Sequence, residues 1–370
     1  MADAKPLFVD CSNETPRPMN FWAPLVMTGA ELEAEAARLA ELEVPRGGRR
    51  RSRIVHPSAT APGLGFAPGI EVTLNVLRPG DSTIRYRQNS SQVAMCIRGA
   101  ATATVGRRGL AFEQFDVWNI PSMEAYRYEN RGPELAVFLS YSNAPLLEKL
   151  EVHYVEENVA EPAAAAITAV PATKRAKDFA DDLALGGDGA RLLGYEHLID
   201  IDVVPSRALL WPWRAVEQYL SRVEKLGGAA GKAYRGRHLY LLYNPATERR
   251  NGTTHAFFAT IAQYPPNRVD IPHRHSSAAI NYIFGGSGRS VVDGHRFEWQ
   301  AGDIMLSAPA WAVHNHAAGP DGCRILTVQD HPLHIAMESL IWQETLKEPV
   351  VKLGTEVGAQ TNLGKLVAGG

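Results

Sequence analysis

The chain has 370 residues, 45% of them hydrophobic and 21% charged, with a formal net charge of −2. This composition excludes a disordered chain and gives no global basicity of the kind that marks a nucleic-acid binder. The length suggests two domains.

The first residues carry charges at Asp3, Lys5 and Asp10 that break any signal-peptide core. No stretch approaches the roughly 18 uninterrupted apolar residues of a membrane span, so a cytoplasmic location without membrane contact is expected. Cys11, Cys96 and Cys323 form no CxxC, which argues against a disulfide framework or a cysteine zinc site. Residues 28–43 set Leu32, Leu39 and Leu42 at helical spacing. Thr28 and Glu31 make a capping box, so one amphipathic helix is expected, ending before Pro45. The basic run Arg46 to Arg53 reads as a solvated loop or interface arm more readily than as a phosphate patch.

Short alternating strands follow from about 68 to 142, divided by turns such as Pro79-Gly80-Asp81. Residues 156–190 are rich in Ala, Pro, Gly and charge and read as a linker with a short helix; Leu209 to Val223 reads as helical. Trp211-Pro212-Trp213 is expected to pack between the domains. The strand pattern returns from about 254 to 330. The two β regions match at one offset: Asp116 with Asp303, Gly99 with Gly286 and Asn143 with Asp330 are each 187 positions apart. The chain is therefore read as a tandem repeat of one β domain. The expected division is an arm and helix over 1–60, a first β domain over 61–152, a linker over 153–205 and a second domain over 206–370. Leu146 to Val152 and His334 to Thr345 are expected to be equivalent helices after the last strand of each copy.

The second copy contains Pro272-His273-Arg274-His275. A strand sends alternate side chains to one face, so His273 and His275 point together into a barrel. About 40 residues on, a neighbouring strand can supply His314 as a third imidazole. Three neutral histidines suit a borderline divalent metal and leave coordination positions open.

These residues have the layout of a cupin. His273 and His275 match its first motif, with Asn267 where glycine is usual; Asn tolerates a left-handed backbone, so the turn survives. The glutamate position falls at Ala279 or Ile280, so that ligand is missing. Gly302, Pro309 and His314 match the second motif, with one extra residue and Trp311 in place of glycine. The P-x-W-x2-H form, Tyr243 to Thr247, and Gly286 to Gly294 resemble the gentisate 1,2-dioxygenase family of ring-cleaving dioxygenases.

The resemblance implies an all-β-dominated bicupin of two tandem jelly-roll barrels with flanking helices. It further implies Fe(II) on the three histidines, although zinc or manganese is compatible with the ligand set, and homodimers or homotetramers. The implied substrates are O2 and a small aromatic hydroxy acid of gentisate, salicylate, aminophenol or hydroxynaphthoate type. The alternatives are another cupin metalloenzyme or a non-catalytic metal-binding bicupin. One departure stands out. The first copy has Tyr86 and Gln88 at the HxH positions and Tyr126 opposite His314, so metal is expected only in the second copy.

Further candidates are read as either structural or positioning. His316 shares the strand face of His314, Asn281 is an even step from His275, Trp311 can wall the pocket, and His255 is on the preceding strand. A substrate carboxylate calls for a guanidinium. Arg268, Arg289 and Arg324 are near in sequence, with Arg289 the one carried forward as a substrate-binding candidate, while Arg274 should face outward.

Overall fold

The computed structural model describes residues 7–161, 182–184, 191–193, 206–224, 238–343 and 345–352. Among these, no helix is long and apolar enough to cross a membrane. The linker reading for 156–190 and the C-terminal residues beyond 352 fall largely outside them.

The chain forms the bicupin expected. In the N-terminal barrel one sheet is built around Glu71–Leu77, Gln92–Arg98, Val117–Ile120 and Ala136–Ser142. The other is built around Tyr86–Gln88, Ala100–Val105, Arg108–Glu113 and Tyr126–Glu129. The C-terminal barrel runs its equivalents together. Ala279–Val292 is one strand of 14 residues and His314–Gln329 one of 16, antiparallel to each other.

Strand alternation separates three cores. Val93, Met95 and Ile97 face out and meet Ile280, Tyr282, Phe284, Leu326 and Val328 of the other copy, so the two barrels are joined by a shared apolar layer. Ala94 and Cys96 face into the N-terminal barrel. Ile283, Met305 and Ile325 face into the C-terminal one. Trp213 caps the shared layer, with its ring 6.4 Å from Phe115 and 5.1 Å from Phe284, which is the inter-domain packing expected of Trp211-Pro212-Trp213.

The repeat extends to backbone detail. Gly99 and Gly286 both have positive φ, and Phe115 adopts φ 71 where its counterpart is Gly302. Each closing helix, Ala144–Lys149 and His331–Ala336, ends in the same C-terminal motif. Val152 N–H donates to Leu147 O and Ser339 N–H to His334 O, with Glu151 and Glu338 left-handed.

Four expectations need correction. The second closing helix stops at Ala336 rather than reaching Thr345, because the Glu338 turn ends it, and Ile341–Gln343 is a strand paired with Arg274–His275. The basic run is neither loop nor arm. Arg50–Ile54 pairs with the strand Glu71–Leu77; Arg50 is buried against Asp81 and the Leu42 carbonyl, and Arg53 pairs with Glu71. The helix expected from Leu209 starts at Trp213, since Leu210–Trp211 is a strand pairing with Val117 and Trp118.

The last correction concerns the arm. Leu25–Met27 pairs with Ile304–Leu306 of the C-terminal barrel. The helix Gly29–Glu41 keeps the expected capping box, and its first N–H, on Gly29, donates to Asp303 Oδ1 at 2.8 Å. Trp213 N–H makes the same bond to Asp116 Oδ1 at 2.7 Å. Each barrel therefore receives an edge strand from outside its own span, while the body of the helix Gly29–Glu41 packs on the N-terminal strands Arg50–Ile54 and Glu71–Leu77.

Candidate active site

The ligand strand is short and held from both sides. Asn267 takes φ 58 and so makes the turn that glycine would make, leading the chain to His273. His273 pairs with His314 in an isolated bridge, and Arg274–His275 pairs with Ile341–Gln343. The nitrogens that His273, His275 and His314 offer all lie within 4.8 Å of one another. His275 and His314 are buried and His273 is half-buried.

The three rings are set in one tautomer by the backbone. His273 Nδ1 lies 2.9 Å from Ile271 O, His275 Nδ1 2.9 Å from Ser277 O, and His314 Nδ1 3.0 Å from Ala312 O. A carbonyl oxygen only accepts, so each Nδ1 carries a proton, and in the neutral ring this leaves the Nε2 lone pair for a metal. Burial holds His275 well below the ordinary imidazole range, and the neighbouring His314, His331 and His273 push it the same way. A neutral imidazole is what a divalent cation needs, and burial keeps His275 in that form. These residues fit a metal on that observation.

The histidines open on a cavity of about 120 Å³. Its floor is a row across three adjacent strands, Thr260, Thr327 and Asn281, which sit opposite one another in the ladders. Phe258, Tyr264 and Trp342 supply aromatic walls, and Trp342 lies stacked 5.0 Å from His275 and 5.5 Å from His273. Ser277 Oγ is 3.0 Å from His275 Nδ1 and 2.5 Å from His331 Nδ1. Burial first, then His334 and His273, lower His331 to about 3. None of the lining side chains is a lysine, arginine or carboxylate.

The structure sorts the sequence candidates. His316 and Asn281 line the cavity, with His316 Nδ1 held at 2.7 Å by Ser290 Oγ, which in turn accepts from Trp299 Nε1 at 2.8 Å. Ala279 also lines it while Ile280 faces the shared core, so the missing glutamate corresponds to Ala279. Trp311 is not in the wall; its ring carries the Arg274 guanidinium 4.5 Å away.

His255 is exposed in the turn before the strand Phe258–Tyr264 begins and lies 3.3 Å from Arg250. Arg289 sits in a surface groove beside Glu298 and Pro320, because its neighbour Ser290 takes the inward position. Arg268 is exposed and Arg324 pairs with Glu217, so no arginine among the described residues reaches the cavity. Ser277, His331 and Trp342 were not foreseen. Trp342 falls in the segment His334 to Thr345 that reads as one helix. Thr260 and Thr327 were findable from alternation and strand register alone.

Comparison with known proteins agrees with this architecture. The AraC-like ligand binding domain model matches residues 255–356. The chain is 24% identical over 304 residues to the 5-aminosalicylate 1,2-dioxygenase of a Comamonas species, covering 80% of this chain and 75% of that one. It is 27% identical over 145 residues to gentisate 1,2 dioxygenase 1 of Aquipseudomonas alcaligenes, where it spans 36% of the relative's length and 39% of its own. A salicylate 1,2-dioxygenase structure from Pseudaminobacter salicylatoxidans superposes with a TM-score of 0.71 at 15% identity, covering 88% of this chain and 89% of that one. The likeness drawn from the motifs is borne out by these relatives, and the bicupin fold by the structure.

Proposed function

We propose that this chain is an Fe(II)-dependent ring-cleaving dioxygenase that opens a hydroxylated aromatic carboxylate with O2. The observation that carries the reading is the convergence of three imidazoles, each with Nδ1 tied to a backbone carbonyl, on a cavity without charged walls. The relatives named for aminosalicylate, gentisate and salicylate support the substrate class.

His273, His275 and His314 would hold the metal. When bound, it supplies a redox-active centre that a carboxylate and its neighbouring hydroxyl can chelate and at which O2 reacts. Three neutral ligands leave the cation its full charge, which suits an anionic chelator. The cavity wall has no arginine, and a substrate carboxylate there would be met by the metal that His273, His275 and His314 would hold. Ala279 leaves open the position that an acidic ligand would fill.

The protein's own part is binding, orientation and exclusion of bulk water. Phe258 and Trp342 present aromatic faces to the ring. His316, fixed through Nδ1 by Ser290, would act on a substrate hydroxyl through Nε2. The cavity is near the roughly 150 Å³ that accepts a benzene, so one ring is favoured over the two fused rings of a naphthoate. We further place the protein in the cytoplasm as a homodimer or homotetramer. Exposed Leu7, Phe8 and Val9 on the N-terminal arm would be covered between copies, a point light scattering would check.

The test is metal analysis of the purified protein, then O2 uptake across hydroxybenzoates, aminophenols and hydroxynaphthoates. A product heavier than its substrate by two oxygen atoms is expected. If none of these compounds perturbs the spectrum of the anaerobic iron protein, the reading fails and a non-catalytic metal-binding bicupin replaces it.

A further inference from the structure

Asn281 is the one cavity-lining residue whose buried polar side chain lacks a protein partner at a defined atom. It is 3% exposed, it points into the barrel from the strand Ala279–Val292, and its Oδ1 is buried without a donor. Buried amides in native proteins are almost always paired. An exception inside a ligand-sized cavity therefore points to a group that arrives with the ligand. The flanking side chains do not supply it. Thr327 is opposite on one side and Met305 on the other, and neither side chain donates to Asn281 Oδ1.

The other barrel supplies a control within the same chain. The position equivalent to Asn281 is Ala94, opposite Trp118 as Asn281 is opposite Met305. The copy without the histidines has no amide there. The amide is thus no requirement of the fold, which accepts alanine at this rung.

We infer that Asn281 is a specificity-determining residue that pairs, through Oδ1, with an O–H or N–H substituent on the aromatic ring. This substituent is additional to the carboxylate and adjacent hydroxyl that the metal takes. The inference rests on the function proposed above and deepens it, assigning recognition of a further ring substituent to one residue. A hydroxyl satisfies the amide with either of its ends turned inward. A methyl in the same place leaves the amide buried and unpaired, and sites built to hydrogen-bond a substrate group reject analogues that lack it.

The experiment compares hydroxy and methyl derivatives of salicylate at ring positions 3, 4 and 5, with 5-aminosalicylate added. Each is titrated into the iron-loaded protein under argon by calorimetry, and kcat/KM is measured in air. At one ring position the hydroxy compound should bind about ten-fold or more tightly than its methyl partner. Asn281→Leu, close in shape, should bring that ratio to within about two-fold while one metal per chain is retained. Asn281→Ala, the residue the N-terminal barrel tolerates, serves if the leucine variant does not fold. A preference that survives in a folded variant, or no hydroxy preference at any position, overturns the inference and leaves ring cleavage intact. If no salicylate binds the wild-type iron protein at all, both this inference and the function beneath it fall.

Discussion

In the N-terminal barrel Tyr86 faces Tyr126 across one rung, with ring centroids 6.2 Å apart; in the C-terminal barrel His273 faces His314 across the same rung at 4.4 Å. Around the tyrosines the interior is filled. Phe112 stacks on Trp118 at 4.0 Å, Tyr128 lies 4.6 Å from Phe138, and Arg49 covers the Tyr86 ring at 4.2 Å. At the matching positions around the histidines are Trp299, Met305, His316 and Ile325, and there a cavity remains. The same ladders thus carry either a packed core or a site. What decides is side-chain volume at a handful of inward positions, together with the polar floor of Thr260, Thr327 and Asn281. The barrel without the histidines is filled rather than hollow, because the lost dispersion contacts of a void are costly.

That contrast can be broken in several ways. The largest effect should come from His275→Ala. Metal affinity and ring opening should fall by more than the roughly 100-fold that loss of an outer partner costs, with metal content near zero by elemental analysis. A full equivalent of metal remaining would refute the assignment of the site to this barrel. Next, Trp118→Ala should remove about 3–5 kcal/mol of stability in urea unfolding while one metal per chain still binds the folded protein, since that ring packs only the barrel without histidines.

Acid should act on the C-terminal barrel, where His331 has Ala144 as its counterpart. The folded value of His331 is lowered from 6.5 to about 3, so the unfolded chain binds the extra proton. Its contribution is fully present above about pH 6.5 and is lost as pH falls toward 3, at about 1.4 kcal/mol per pH unit. His275 works in the same direction. Unfolding of the metal-free protein at pH 7 and pH 5 would show this, and His331→Phe should flatten the slope.

A smaller difference is expected between two serines. Ser277 links His275 to His331, whereas its counterpart Ser90 has a buried hydroxyl without a partner. Ser277→Ala should weaken metal binding about ten-fold, and Ser90→Ala should leave it unchanged in the same titration. The smallest expected change comes from grafting. Tyr86→His, Gln88→His and Tyr126→His together should leave the metal count at one per chain, because Arg49 sets a cation against the grafted rings.

Much of this was legible in the sequence because it is written in local rules. The 187-residue offset, the HxH alternation, the third histidine, the Asn267 turn and the Thr28 capping box depend on residues close in the chain or on strict repetition. What escaped depends on partners far away. Leu25–Met27 is a strand only because Ile304–Leu306 is there to pair with it; three residues carry no periodicity of their own. Ile341–Gln343 continues a helical pattern on paper, yet the left-handed Glu338 turn and the edge of Arg274–His275 make it a strand and bring Trp342 to the histidines. Arg50 is one buried guanidinium within a run that reads as solvated, since burial there depends on Asp81. Arg289 was one residue out of phase with the inward face.

The crossed strands bear on how such a chain can change over generations. Leu25–Met27 extends a sheet of the C-terminal barrel and Leu210–Trp211 a sheet of the N-terminal one, and the first N–H of the helix behind each strand is tied to an aspartate of that barrel. Neither copy can be deleted without stripping an edge from the survivor and uncovering the apolar layer between them. One copy can carry tyrosine and glutamine where the other carries histidines without loss of the scaffold, but the copy itself cannot be shed. A repeat locked in this way keeps both halves as permanent fixtures, each free to alter its interior and bound to keep its edges.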